Sequence, residues 1–343
     1  MSNSSYALHK VSRFMEVFPR KNVVAFTYGS GVFQQANRPT AEKNMVDVII
    51  AVDNAKLWHE DNVRKNPSHY SFLKYFGSSF IETVQHAWGA KVYFNTLVRF
   101  EDMTFKYGVV THEDLLMDLF DWDTLYLSGR LHKPVHFLYP VMDRTLTQAL
   151  RLNLESAARA ALIKLPAAFS EREFYHSIVG LSYGGDFRMI VGEDKNKVSN
   201  IVDGQFEDLK NLYDPIVKHF NEWMEISKGQ GFQDVSSLAR LHHLNLLPKT
   251  AQLELMKEIT KDGRHRDIEE VLRAVAAEVD CGEVLDAALQ RIVQRSSLTQ
   301  SLKGILTAGA YKSMIYSHRK MKKWWASRRK KYAKTAISTQ GNS

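Results

Sequence analysis

One cysteine, Cys281, is all that 343 residues provide. That excludes an intramolecular disulfide framework and any multi-cysteine zinc or iron–sulfur centre. No apolar run approaches the roughly eighteen residues needed to cross a bilayer, so no transmembrane segment is expected. Gly 18 and Pro 8 are too few for a collagenous or low-complexity chain. Acidic residues are missing from Ala287 to Ser343, a stretch that holds 13 Lys and Arg. The 46 basic and 38 acidic residues of the whole chain give +8, but without that stretch the body carries −5. A slightly acidic body with a basic tail points to a tether for phosphate-bearing partners rather than a basic groove along the fold. The N-terminal stretch, with Lys10, Arg13, Arg20, Lys21 and one acid, Glu16, lacks the apolar core of a secretory signal.

What is present is ordinary for a folded chain, with 44% hydrophobic and 24% charged residues. At about 150 residues per domain the length suggests two or three domains. Val23–Thr27 reads as a strand running into the Tyr28-Gly29-Ser30-Gly31 turn, and Asn44–Asp53 as a second, buried strand carrying Asp47. Helical spacing covers Pro67–His86. Lys91–Phe100 and Thr104–Val110 read as a hairpin turning at Glu101-Asp102. After Pro140 the pattern becomes helical. It starts with Leu146–Lys164 and then a helix opened by the Ser170-Glu171-Arg172-Glu173 capping box. Further helices are expected at 205–227, 249–261, 265–279 and 283–296. Three regions follow: an α/β domain over 1–140, a helical domain over 141–228 and a helical C-terminal region over 229–343.

The chemistry starts at the first two strands. A glycine turn lets backbone N–H groups approach phosphate oxygens, and Ser30 adds a hydroxyl donor. Asp47, flanked by Val46 and by Val48-Ile49-Ile50, would cost several kcal/mol if buried without a partner. A carboxylate there can hold Mg²⁺ against phosphates. No second acid sits two residues away, at Met45 or Ile49. Asp53 shares the strand face by parity but lies about 20 Å off, and either joins the site or ends the strand. Lys106, on the hairpin, can neutralise phosphate charge or serve as an edge-strand lysine. His112, His132 and His136 lack zinc spacing.

This arrangement resembles the DNA polymerase beta-like nucleotidyltransferase superfamily. More closely, the chain resembles the mitochondrial translocator assembly and maintenance protein family, peripheral CDP-diacylglycerol synthases also called phosphatidate cytidylyltransferases. The ordered blocks that carry the likeness are Tyr28–Phe33 (YGSGVF), Asp47 to Asp53, Asn66–Phe72 (NPSHYSF), Phe105–Val109 (FKYGV), Gly129–Pro134 (GRLHKP), Phe169–Glu173 (FSERE) and Ser182–Arg188 (SYGGDFR). The resemblance implies a nucleotidyltransferase α/β domain, then a helical domain with winged-helix character. It also implies a reaction of CTP with phosphatidate that yields CDP-diacylglycerol and pyrophosphate for cardiolipin synthesis.

On that basis Asp47 and Lys106 are catalytic, with Asp47 holding Mg²⁺. Tyr28, Gly29, Ser30, Gly31, Asp186 and Arg188 bind the nucleotide, and His69, Tyr70 and Lys74 line the site as substrate-binding residues. The implied location is the matrix side of the mitochondrial inner membrane. Tyr311–Tyr332 combines aromatic and Met positions at helical spacing with many Lys and Arg, the pattern of a basic amphipathic helix on an anionic membrane surface. An RNA or tRNA nucleotidyltransferase would use the same core and tail, although nucleic acid is the less expected partner. A non-enzymatic translocase assembly factor is the other alternative.

Overall fold

A computed structural model describes residues 3–19, 22–33, 45–139, 143–190, 196–260 and 266–309. The expected basic helix at Tyr311–Tyr332 lies outside the described residues.

The N-terminal stretch forms a helix, α1 (Asn3–Met15), which packs Val11, Phe14 and Met15 into the core. Strands β1 (Asn22–Tyr28) and β2 (Val46–Val52) follow. Next come α2 (Ala55–Lys65), two 3₁₀ turns at Pro67–His69 and Phe72–Phe76, and α3 (Ser78–Ala87). The single helix expected over 67–86 is thus broken. Ser71 caps the second 3₁₀ turn, and Gly77, at φ 86°, restarts the chain in a conformation that only glycine adopts readily. Strands β3 (Tyr93–Phe100) and β4 (Met103–Thr111) form the expected hairpin, and Arg13 holds its turn through a 2.7 Å bond to Glu101. Helices α4 (His112–Asp121) and α5 (Ser128–Leu131) and the short β5 (His136–Phe137) complete the α/β portion.

The sheet order is β3-β4-β2-β1-β5, with β2 and β4 parallel and the other pairs antiparallel. Even and odd residues alternate faces. Val48, Ile50, Val52, Phe105, Tyr107 and Val109 pack against α1 and α2. On the other face Phe26, Ile49, Ala51, Phe94 and Val110 pack against Leu115 and Leu119 of α4 and against the start of α6 (Arg144–Lys164).

Helix α6 joins the two cores. Its first turns give Leu146 and Ala149 to the sheet, while Ala157–Ile163 enter a helical core. That core includes the short β6 (Ala168–Ser170), α7 (Glu171–Gly180), α9 (Lys197–Gly204) and α10 (Phe206–His219), with the one-turn α8 (Phe187–Ile190) between α7 and α9 in the chain. It continues through β7 (Met224–Ser227), β8 (Gln230–Gln233), α11 (Ser237–Asn245), α12 (Lys249–Ile259), α13 (Ile268–Ala277) and α14 (Cys281–Ala308). The capping box of α7 forms as expected, Ser170 and Glu173 each satisfying the other's backbone N–H.

The helix expected over 205–227 ends at His219 instead. The chain then enters β7, and Lys228 and Gly229, both at positive φ, form the two-residue turn that suits a hairpin. Strands β6, β8 and β7 make a second sheet. Residue 228 therefore sits between paired strands, and α11 to α14 share one core with α6 and α7.

Candidate active site

The site begins as one row across the first sheet. Tyr28 on β1 pairs with Asp47 on β2, and Asp47 pairs with Lys106 on β4, so the three side chains stand side by side on one face. Lys106 Nζ lies 3.8 Å from Asp47 Oδ1 and 4.1 Å from the Phe94 ring centroid. Thr27 Oγ1 donates to the Asp47 backbone carbonyl at 2.8 Å and fixes the strand there. The turn after β1 rests against this row. Gly29 has φ 77°, and a Cβ on it would stand 3.9 Å from Asp47 Oδ2. Gly31 is glycine for a different reason: a Cβ would come within 2.8 Å of the Met45 carbonyl oxygen.

A second wall comes from the segment between α4 and β5, which Asp118 organises. Its buried carboxylate accepts from the backbone N–H groups of Thr124, Leu125, Leu127 and Ser128 and from the hydroxyls of Thr124 and Ser128. Asn153 on α6 anchors the same segment, accepting from Trp122 Nε1 and His132 Nε2 and donating to the Ser128 carbonyl. Thus held, the segment places Tyr126, Arg130 and Lys133 beside the strand row. Arg130 spans two rings, 3.9 Å from the Tyr126 centroid and 5.1 Å from that of Tyr28. Its Nε is buried without a hydrogen-bond partner, and no carboxylate pairs with it among the described residues.

Lys133 is half-buried, and among the described residues no carboxylate pairs with it either. Its Nζ donates to the Gly129 carbonyl oxygen and, at 2.9 Å, to Ser182 Oγ. The approach to Ser182 requires glycine at 129, where a Cβ would lie 2.4 Å from the Ser182 Cβ. Desolvation, helped by the positive charges of Arg130 and Lys197, pushes the Lys133 ammonium down to about 7. Burial would raise the Tyr126 phenol, but Arg130, Lys106 and Arg188 outweigh it and hold that phenol below its usual range.

The third wall is the Ser182–Arg188 loop. Arg188 forks onto the buried Asp186 through Nε, at 2.9 and 3.0 Å from the two carboxylate oxygens. The loop is joined to the second wall where Lys133 Nζ donates to Ser182 Oγ at 2.9 Å, and the Arg188 guanidinium is among the positive charges that lower the Tyr126 phenol. Among the described residues four basic side chains, Lys106, Arg130, Lys133 and Arg188, therefore converge with two carboxylates, Asp47 and Asp186. The excess positive charge, part of it desolvated, is an arrangement that awaits an anion.

Tyr28, Gly29, Gly31, Asp47, Lys106, Asp186 and Arg188 are brought together, with Ser30 in the same turn. His69, Tyr70 and Lys74 are placed elsewhere. His69 Nδ1 lies 3.1 Å from the hydroxyl of Tyr107, which points to the sheet face opposite Lys106. Tyr70 is buried, 2.7 Å from His59 Nδ1 and accepting from Asn62. Lys74 is half-buried and donates to the Pro67 carbonyl oxygen. The structure does not join these three to the Asp47 row, because one residue of strand alternation separates Tyr107 from Lys106. Asp53 is exposed past the far end of β2. Arg130 and Lys133 are the site residues that motif reasoning passed over. Both lie in the Gly129–Pro134 block, and the paired glycine and cations of that block are the signal for them.

Among the described residues no group of three or more His, Cys, Asp or Glu could hold a metal ion alone. Asp47 by itself suits Mg²⁺, an ion that keeps several waters and takes one or two carboxylates together with substrate phosphates.

The family model described as "Phosphatidate cytidylyltransferase, mitochondrial" matches residues 11–323. A zebrafish (Danio rerio) protein of that name is 43% identical over 324 residues, covering 94% of this chain and 96% of the relative. One from Xenopus laevis is 46% identical over 321 residues, with 93% and 95% covered. One from Mus musculus is 42% identical over 325 residues, with 93% and 96% covered. With nearly full-length matches on both sides, this chain belongs to the mitochondrial phosphatidate cytidylyltransferase family.

Proposed function

We propose that this chain transfers the cytidylyl group of CTP to phosphatidate, forming CDP-diacylglycerol and releasing pyrophosphate. The observation that carries the reading is the convergence in one place of Asp47, the Gly29–Gly31 turn and the cations Arg130 and Lys133, which no carboxylate pairs with among the described residues. A phosphatidate phosphate oxygen attacks the α-phosphorus in line, the bond to the β-phosphate oxygen breaks, and no covalent enzyme intermediate forms. The protein contributes positioning and charge stabilisation, as suits a loose phosphoryl-type transition state.

The turn N–H groups and the Ser30 hydroxyl cradle the β- and γ-phosphates. Lys133 and Arg130 meet the charge that builds on the leaving pyrophosphate, and their desolvation makes that contact stronger than it would be in water. Lys106 steadies the α-phosphate and keeps Asp47 oriented. Arg188, braced by Asp186, holds the nucleotide or the lipid phosphate. Asp47 and the triphosphate together would hold Mg²⁺, which supplies further neutralisation of phosphate charge when bound.

In this reading the first sheet is a DNA polymerase beta-like nucleotidyltransferase core, and α7 to β8 form a winged-helix-like unit. Among the described residues no helix is long and apolar enough to cross a membrane. A lipid substrate then calls for peripheral binding. We place the chain on the matrix side of the mitochondrial inner membrane, supplying CDP-diacylglycerol to cardiolipin synthesis, with the basic C-terminal segment on anionic lipid.

The test is incubation of the purified protein with CTP, Mg²⁺ and detergent-dispersed phosphatidate, with CDP-diacylglycerol as the readout. Asp47→Asn keeps the shape and removes the charge, and should lower turnover a hundredfold or more with circular dichroism unchanged. Near-normal turnover by that variant would remove Asp47 from the mechanism.

A further inference from the structure

The last turns of α14 are built inside out. Their buried side is polar: Ser296, Ser297, Gln300, Lys303 and Thr307 face the protein. Gln300 accepts from Ala90 N–H at 2.9 Å and donates to the Val92 carbonyl at 3.1 Å, gripping the approach to β3. Lys303 Nζ donates to the carbonyls of Gln85 and Trp88, at the C-terminal end of α3. Backbone groups are what this helix covers, and polar side chains are what they need. The outward side holds the leucines. Leu298, Leu302 and Leu306 are exposed, Leu302 by 57%. Leucine facing water on three successive turns, with lysine turned inward, reverses the usual pattern of a helix on a soluble protein.

A second apolar surface adjoins the first. Phe72, Tyr75, Phe76 and Phe80 are exposed, Tyr75 by 82% and Phe76 by 62%. Phe76 sits 6.3 Å from Phe72 and 5.1 Å from Phe80, ring centre to ring centre, so they form one aromatic strip. The strip and the helix meet where Ser71 Oγ donates to the Leu306 carbonyl at 3.2 Å. α14 ends at that seam, and from residue 310 onward the sequence has ten Lys and Arg and no acid.

We propose that the Phe72–Phe80 aromatics and the outward leucines of α14 form one face that docks into the interfacial zone of an anionic lipid bilayer. The basic segment that starts at the same seam engages the head groups. Two features favour a bilayer as the occupant. Aromatic and leucine side chains, followed directly in the chain by a dense run of Lys and Arg, match the layered chemistry of acyl chains beneath anionic head groups. A second copy of the chain on this face would instead bring two segments of like charge to one seam. The proposal rests on the lipid-substrate reading above, and it names the surface that reaches the lipid.

The experiment uses the full chain and vesicles of phosphatidylcholine mixed in equal parts with phosphatidylglycerol, which is anionic but not the substrate. Tyr75→Ser, Phe76→Ser and Leu302→Ser together should lower the vesicle partition coefficient at least tenfold. The loss should persist at high salt, where attraction by the basic segment is screened. In parallel, Phe76→Cys carries an environment-sensitive dye, the native Cys281 being buried and protected from labelling. Its emission should shift to the blue on adding vesicles. Unchanged partition in the triple variant overturns the proposal. So does a change of oligomeric state with partition unaltered, which would make the face an interface between copies. A dye already blue-shifted without lipid, and released by deleting residues 310–343, would mean the chain covers this face itself and also overturns it. The triple variant should keep wild-type turnover on detergent-dispersed phosphatidate. If the wild-type chain shows no such turnover, the cytidylyltransferase reading fails while the vesicle result still decides the docking face.

Discussion

Replacing Lys133 by Met should stabilise the empty protein and cripple its hold on CTP. The ammonium falls from its ordinary 10.5 to about 7 in the folded protein, chiefly through desolvation, and has no carboxylate partner among the described residues. That fall corresponds to at most about 5 kcal/mol of penalty for keeping the charged form. The side chain is only half-buried, which reduces the figure to on the order of 2–3 kcal/mol. Below pH 7 both folded and unfolded chains carry the proton, so the penalty is greatest there. Between about 7 and 10.5 the unfolded chain holds a proton that the folded chain has lost, so wild-type stability rises with pH through this window.

Lys133→Met should therefore raise the melting temperature most at pH 6, and least as pH approaches 10. Binding supplies the complementary sign. A triphosphate beside Lys133 restores its proton, so at pH 8 wild-type binding should take up roughly 0.9 proton for a group near pKa 7. Calorimetry of CTP binding in two buffers of different ionisation enthalpy measures that uptake, and scanning calorimetry across pH measures the stability. Uptake that is the same in wild type and variant, or a variant that melts lower than wild type at pH 6, would refute the reasoning.

Asp118→Asn turns an acceptor of six hydrogen bonds into a side chain that presents N–H groups to donors. Urea unfolding should show a loss of about 3 kcal/mol or more, together with weaker CTP binding as Arg130 and Lys133 shift. Gly29→Ala meets no steric wall closer than Asp47 Oδ2 at 3.9 Å, so its cost is the left-handed backbone, about 1–2 kcal/mol. The readouts are a modest fall in melting temperature and a raised KM for CTP. Deleting residues 310–343 removes ten positive charges. Each is worth about 1 kcal/mol near an anionic surface, so vesicle cosedimentation should fall steeply while turnover on detergent-dispersed phosphatidate survives.

Much of this protein follows from local rules that act along the chain. β-Branched runs bounded by turn residues mark β1, β2, β3 and β4. Ser170 and Glu173 announce α7, because a capping box needs only residues three apart. Asp47 is visible in the sequence as a charge among valines and isoleucines, and Gly29 as the pivot of a turn. Register and face are different in kind. Asp47 meets Lys106 only through a parallel pairing that spans α2, α3 and β3, and the same register turns Tyr107, with His69, to the opposite side of the sheet. Arg130 and Lys133 look like ordinary cations until Asp118 folds their segment against the strands. The β6–β8–β7 sheet joins short strands far apart in sequence, and Gly231 is needed there because a Cβ would lie 2.2 Å from the Phe169 ring. The inward Lys303 and outward Leu302 defy any periodicity rule, because exposed backbone ends rather than an apolar core face that side of α14. Period and capping chemistry are written within a few residues, whereas burial and charge proximity depend on what distant segments place opposite, and only the folded chain decides that.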